Sequence, residues 1–203
     1  MKKNVIIILI DGGRLDFAQK SETFKKLKST MIHFDQSITY APYTTGAMHA
    51  VLSGCYGNRN GVNSYWNIFK FKNDQFLTLA DYLSQNNYYT FADGHTELII
   101  PKFGFKEFNV HDEQKINLIQ WHSELLDNMK EIYDGGQNFF LYLHYSKIHT
   151  GISNDVLKVF NNFSKEYFDN QDLNQERYSK LFHNAEIYLD SILNKIQNLN
   201  LLE

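Results

Sequence analysis

Asp11 closes the apolar run Val5 to Ile10 and is followed by Gly12 and Gly13. A carboxylate on the tip of a rigid strand, beside glycines that let backbone approach closely, suits a divalent metal. The plainer alternative is that Asp11 caps a following helix. Thr44 and Thr45 stand between Pro42 and the segment "GAMHAVLSG", where a helix is expected to start. Free N–H groups and partial positive charge at a helix N-terminus stabilise an anionic ester. A threonine placed there becomes a nucleophile once a metal lowers its hydroxyl pKa. Its plainer alternative is an N-cap. One carboxylate and one hydroxyl sharing a cation would form a centre for ester chemistry.

The elements that must bring them together are legible in outline. "VIIILI" and "NFFLYLHY" (138–145) have the continuous apolar character of strands buried on both faces, as in a parallel sheet covered by helices. "YYTFADG" predicts a strand ending at Asp93 and Gly94, and His33 to Ala41 reads as another extended stretch ended by Pro42. Helices are expected over Phe17 to Leu27, from Thr44 or Thr45 to a stop at Gly54, over Thr78 to Gln85, and over Lys115 to Tyr133. "GNRNGV" reads as a turn-rich loop. From Tyr178 to Ile196 apolar residues recur at helical spacing. Strands alternating with helices imply an α/β fold, a three-layer sandwich with a mainly parallel sheet flanked by helices. In such sheets ligands bind beyond the carboxyl ends of the strands, where Asp11 falls.

The 203 residues, 43% hydrophobic and 15% aromatic, suffice for one core. A formal charge of −3 gives no general reason to expect nucleic acid or an anionic membrane as partner. Cys55 is the single cysteine, which excludes intramolecular disulfides, paired-cysteine zinc sites and CxxC redox sites. "MKKNVIIILI" superficially copies a signal peptide, but the run stops at Asp11 with no small-residue cleavage site before Arg14 and Asp16. No stretch approaches the ~20 apolar residues of a membrane helix, so no membrane segment is expected and a cytoplasmic location is the default.

"NVIIILIDGGRLDF" followed by "APYTTGAMHAVLSGCYGNRNGV" resembles the sulfatase branch of the alkaline phosphatase superfamily. "NNYYTFADGHTEL" is similar to the family segment that carries a substrate-contacting Lys or His. "FFLYLHYSKIHTG" is similar to its strand ending in H-x-x-x-x-H, and "LFHNAEIYLDSILNKIQNLNLLE" to the helix before its final metal-binding strand. The resemblance covers nearly the whole chain in order and implies one sulfatase-like domain over residues 1–203. It implies Asp11 and Thr44 as ligands of a divalent ion (Zn, Mn, Mg or Ca) and Thr44 as nucleophile, with Thr45 as the neighbouring candidate. It further implies His95 and His149 on the substrate's charged group, with Arg14 and Asp16 bracing the site.

The departures from the family pattern redirect the chemistry. Sulfatases oxidise a Cys or Ser in C/S-x-P-x-R to formylglycine, whereas Thr44, Gly46 and Met48 stand at those positions, and Gly12 replaces a second metal-binding Asp. A threonine with one aspartate resembles the phosphodiesterase, phosphoethanolamine transferase and lipoteichoic acid synthase relatives, which form a phospho-threonine. The family's (S/T)-D-H-G motif, source of further metal ligands, does not occur in this sequence. The expectation is therefore a domain incomplete at its C-terminus, or one whose metal site a second chain completes.

Of the other histidines, His33, His111, His122 and His183 have no partner at metal-ligand spacing and read as surface or core residues. His49 and His144 stay open. Two functions follow from the sequence. One is a metal-dependent hydrolase or transferase acting on phosphate, phosphonate or sulfate esters of a small molecule, glycan or lipid. The other is a catalytically inert fragment that serves as a binding or assembly module.

Overall fold

The computed structural model describes residues 2–155 and 171–201. Its elements in chain order are β1 (Val5–Ile10), α1 (Leu15–Ala18), α2 (Glu22–Thr30), α3 (Thr44–Ser53), α4 (Gly57–Asn60), a 3₁₀ turn (Tyr65–Lys70) and α5 (Leu79–Gln85). These are followed by β2 (Tyr89–Gly94), β3 (Glu107–Val110), α6 (Leu118–Asp134), β4 (Phe139–Tyr145), α7 (Lys147–Asp155) and α8 (Gln171–Asn198). The four strands form one all-parallel sheet in the order β1-β4-β2-β3.

Parallel pairing requires crossovers, and helices supply them on both faces, which is the three-layer α/β arrangement the sequence predicts. Side-chain alternation along β4 divides the core in two. Phe139, Leu141, Leu143 and Tyr145 pack with Leu125, Leu126 and Met129 of α6 and Tyr188, Leu189 and Ile192 of α8. Phe140 and Tyr142 pack on the opposite face with Met48 and Leu52 of α3 and Ala80 of α5. The same parity sorts β1: Ile6, Ile8 and Ile10 face α6 and α8, while Val5, Ile7 and Leu9 face α3 and α5. All of β4 is buried, which accounts for its unbroken apolar sequence. Truncating a leucine there to alanine would cost about 2–5 kcal/mol.

Local signals fix the helix ends. Gly54 terminates α3 in the left-handed region, at φ +63. Thr78 and Asp81 form a reciprocal capping box on α5, with Thr78 Oγ1 accepting from Asp81 N at 3.0 Å and Asp81 Oδ2 accepting from Thr78 N at 2.8 Å. Asn117 Oδ1 accepts from the first-turn N–H groups of Ile119 and Gln120 to cap α6.

Three expectations are corrected. His33 to Ala41 forms no strand; the segment has no sheet neighbour among the described residues, and Phe34 and Ile38 are among its exposed side chains. The extended stretch therefore lacked the pairing a strand needs. The helix expected over Phe17 to Leu27 divides into α1 and α2, because the Ser21 side chain accepts from Phe24 N at 3.2 Å and starts a new helix. "GNRNGV" closes into the single turn α4 where a loop was expected. The strand β3 and the helix α7 carry no sequence pattern strong enough to announce them.

Candidate active site and a buried polar cluster

Asp11 follows β1 directly, and its N–H donates to Tyr145 O at 2.9 Å, which extends the β1–β4 pairing and holds the carboxylate at the strand tips. Thr44 is the first residue of α3, on the face of the sheet that receives His144. Its Oγ1 lies 3.1 and 3.0 Å from the two carboxylate oxygens of Asp11 and donates its one hydrogen to them. Neither plain alternative describes these residues. The N-cap of α1 is Arg14, and the N-cap of α3 is Tyr43. Thr45 Oγ1 is buried and has no hydrogen-bond partner among the described residues.

His144 has the same parity on β4 as Tyr142 and projects to the α3 side. The Tyr142 hydroxyl and His144 Nδ1 share a hydrogen bond of 2.8 Å, which leaves Nε2 turned toward Asp11 Oδ2 at 3.5 Å. His144 is fully buried, and this nitrogen makes no hydrogen bond among the described residues. His95, just beyond β2, meets His144 edge-on with ring centroids 5.3 Å apart, and its buried Nδ1 is also without a partner among the described residues. Burial first, and then the neighbouring His144, keep the His95 imidazole less basic than usual. Burial pushes the Asp11 carboxyl up, but His144, the Thr44 hydroxyl and His149 outweigh it and hold the pKa below the ordinary value.

His149 is the third residue of α7 and is exposed. Its backbone packs on Gly12, where a Cβ would lie 3.3 Å from His149 N and where φ is +81. A side chain at Gly12 would be strained and would crowd this turn. Arg14 pairs with Asp16 at 2.7 Å and lies over the rings of Phe17 and Tyr178. The Tyr178 hydroxyl accepts from Arg14 N and donates to Gly12 O, each at 2.8 Å, so α8 pins the loop after Asp11. His49 lies inside α3, buried, with Nδ1 donating to Thr45 O at 2.7 Å; burial lowers its pKa.

The sulfatase family model matches residues 3–203. The chain belongs to the sulfatase family. Among solved structures, the fold of this sulfatase-family chain is similar to that of a putative sulfatase, yidJ, from Bacteroides fragilis (TM-score 0.72, 15% identity, covering 98% of this chain and 59% of that one). It is also similar to the lipoteichoic acid synthase LtaP from Listeria monocytogenes (TM-score 0.69, 17% identity, 98% and 53%). A third neighbour is the C-terminal periplasmic domain of EptC from Escherichia coli in complex with zinc (TM-score 0.58, 14% identity, 98% and 61%). The chain thus spans about half the length of the solved structures it matches. No curated protein matches it. Among the described residues no helix is long and apolar enough to cross a membrane.

On the opposite face of the sheet, this sulfatase-family chain holds a second polar cluster. Asp93 shares the parity of Phe91 on β2 and therefore faces α6 and α8. Its Oδ1 accepts from His122 Nε2 at 3.0 Å and from His111 Nδ1. Its Oδ2 accepts from Trp121 Nε1 at 2.8 Å and from the Asn109 side-chain amide. Asp93 and His122 are fully buried and His111 nearly so. The far side of each ring is also engaged: His122 Nδ1 bonds the Tyr188 hydroxyl at 2.6 Å, and His111 Nε2 faces Glu113 Oε1 at 3.5 Å. Glu113 in turn accepts from Ser146 N at 2.8 Å and from Thr150 Oγ1 at 3.2 Å, across the corner between β4 and α7.

Charge follows this geometry. Burial pushes the Asp93 carboxyl up, but His111, His122, Asn109 and Trp121 outweigh it and hold it far below the ordinary value. Burial lowers the His111 pKa, but Asp93 and Glu113 raise it to about 9, while Glu113 is held down to about 2. The expectation that His111 and His122 lack a partner at ligand spacing is corrected here. They lie far from Asp93 along the chain, and only the β2–β3 pairing and the packing of α6 bring all three together. The available signal was the strand-end position of Asp93. His33 and His183 are exposed, as expected.

Proposed function

We propose that the Asp11–Thr44 tip is the reactive centre of a metal-dependent hydrolase or transferase acting on phosphate, phosphonate or sulfate esters, with Thr44 Oγ1 as the nucleophile. The observation that carries this reading is the Thr44 hydroxyl set against both oxygens of the Asp11 carboxylate, at the N-terminus of α3. A divalent ion bound there would lower the pKa of that hydroxyl and offset charge building on the ester. The donors fit such an ion: a carboxylate, a hydroxyl, and the buried Nε2 of His144, which has no hydrogen bond among the described residues. The remaining coordination positions fall to solvent, substrate oxygens or donors of a second chain.

Within this reading Asp11 orients Oγ1 through its hydrogen and stays ionised, because its pKa lies below the ordinary carboxylate range. Tyr142 fixes the rotation of the His144 ring. In this reading His95 and His149 serve the substrate's anionic oxygens, with the free N–H groups of the first turn of α3. A threonine at the nucleophile position excludes formylglycine, so we favour phosphoryl or phosphonyl transfer over sulfate hydrolysis. The substrate class is an ester of a small molecule, glycan or lipid.

The test is turnover of nitrophenyl phosphodiester and sulfate esters with Mn²⁺, Zn²⁺, Mg²⁺ or Ca²⁺. Thr44→Ala is expected to abolish turnover and Thr45→Ala to spare it, with both variants folded by circular dichroism. Turnover that survives Thr44→Ala overturns the assignment. Wild-type protein inert on every ester with every ion would turn the reading toward a binding or assembly module.

A further inference from the structure

We propose that Asp93, His111 and His122 form a buried zinc site, separate from the Asp11–Thr44 tip and on the other face of the sheet. Each of the three offers one donor atom, and these atoms lie within 4.8 Å of one another. Both imidazoles aim at one carboxylate oxygen, Asp93 Oδ1. A cation at that point of convergence would replace two competing N–H donors with two nitrogen ligands and one oxygen ligand.

The surroundings have the construction of a metal site. Ligating histidines hold their second nitrogen against a carboxylate or a hydroxyl, which fixes ring orientation and tautomer. His111 Nε2 faces Glu113, and His122 Nδ1 meets the Tyr188 hydroxyl. The non-converging oxygen of Asp93 is held by Trp121 and Asn109. Every candidate ligand is thus anchored from outside. Two imidazoles with one carboxylate select zinc over magnesium or calcium, which prefer all-oxygen surroundings. All three residues are buried, and the ion would join the ends of β2 and β3 to α6.

The experiment loads the full chain with zinc, removes excess by gel filtration, and measures bound metal with X-ray absorption at the zinc edge. It is repeated on a variant lacking the other candidate donors, Asp11→Asn with Thr44→Ala and His144→Gln. The expected result is one equivalent of zinc retained in that variant, with two imidazole nitrogens in its coordination shell, and a rise in melting temperature when zinc is added. His111→Gln should weaken this binding at least tenfold. Loss of all zinc in the triple variant, fewer than two imidazole ligands, or undiminished binding by His111→Gln overturns the proposal. The triple variant reports on zinc whether or not the chain turns over esters, so failure here is distinct from failure of the Thr44 reading. If His111→Gln does not fold, the absorption spectrum of the triple variant decides alone.

Discussion

Replacing Asp93 with asparagine isolates the contribution of one buried charge. Asparagine keeps the shape of the side chain but presents a single carbonyl oxygen, so its NH₂ group must face donors that now bond a carboxylate oxygen. His111 and His122 share one oxygen, while Trp121 and Asn109 share the other. Whichever way the amide turns, two donors lose their acceptor, and His111 loses one of the two carboxylates that raise its pKa. Breaking a buried charge pair by removing one partner costs about 3–5 kcal/mol. The unsatisfied donors are part of that figure and not an addition to it. A loss of about 4 kcal/mol is a large share of the ~5–15 kcal/mol typical of a domain. It lowers the melting temperature by roughly 8–16 °C at about 2–4 °C per kcal/mol. The measurement is urea unfolding and calorimetry on EDTA-treated protein, with fluorescence reporting on Trp121. A second readout is pH. In the folded metal-free chain His111 titrates at about 9, against 6.5 for the ordinary group. Its stabilisation is therefore complete below pH 6.5 and is lost as pH rises to 9, amounting to about 3 kcal/mol at 1.4 kcal/mol per pH unit. Asp93→Asn should flatten that decline. A loss under about 1 kcal/mol with an unchanged alkaline limb would refute the account of this cluster.

Glu113→Gln acts on the acid limb: the folded pKa of about 2 lies below the ordinary 4.5, so the wild type loses stability as pH falls through this interval. The glutamine variant should lack that loss, as measured by melting temperature against pH. Gly104→Ala should destabilise by about 3 kcal/mol in urea, since Gly104 has φ +81 and a Cβ there would strike the backbone of Ala80 and Asp81 in the first turn of α5. Tyr142→Phe leaves the buried His144 Nδ1 without its partner, costing about 1–3 kcal/mol by calorimetry. The same variant should slow any Thr44-dependent turnover more than it alters substrate binding.

How much of this was legible in the sequence depends on whether a residue's role is local. β1, β2 and β4 announced themselves because strands covered by helices on both faces carry apolar runs, and α3 because Gly54 marks its end. Asp11 and Thr44 were legible because each sits at the terminus of such an element. His33 to Ala41 misled because extended character does not guarantee a neighbour to pair with. β3 is short and half-exposed, so its sequence resembles a loop. The cluster around Asp93 was hidden for a different reason. His111 carries no periodic pattern, and His122 sits on a helix whose apolar stripe explains it equally well as a core residue. Their convergence is a property of the strand order and of the packing of α6.

The division of labour between the two faces of the sheet constrains how this gene can change. Asp93 and His144 reach opposite sides only because each occupies a fixed phase of its strand. A single-codon deletion within β2 ahead of Asp93 would send the carboxylate toward α5 and bring a neighbouring residue into the histidine cluster. A gain or loss of one residue inside these strands would therefore carry a site side chain to the wrong face.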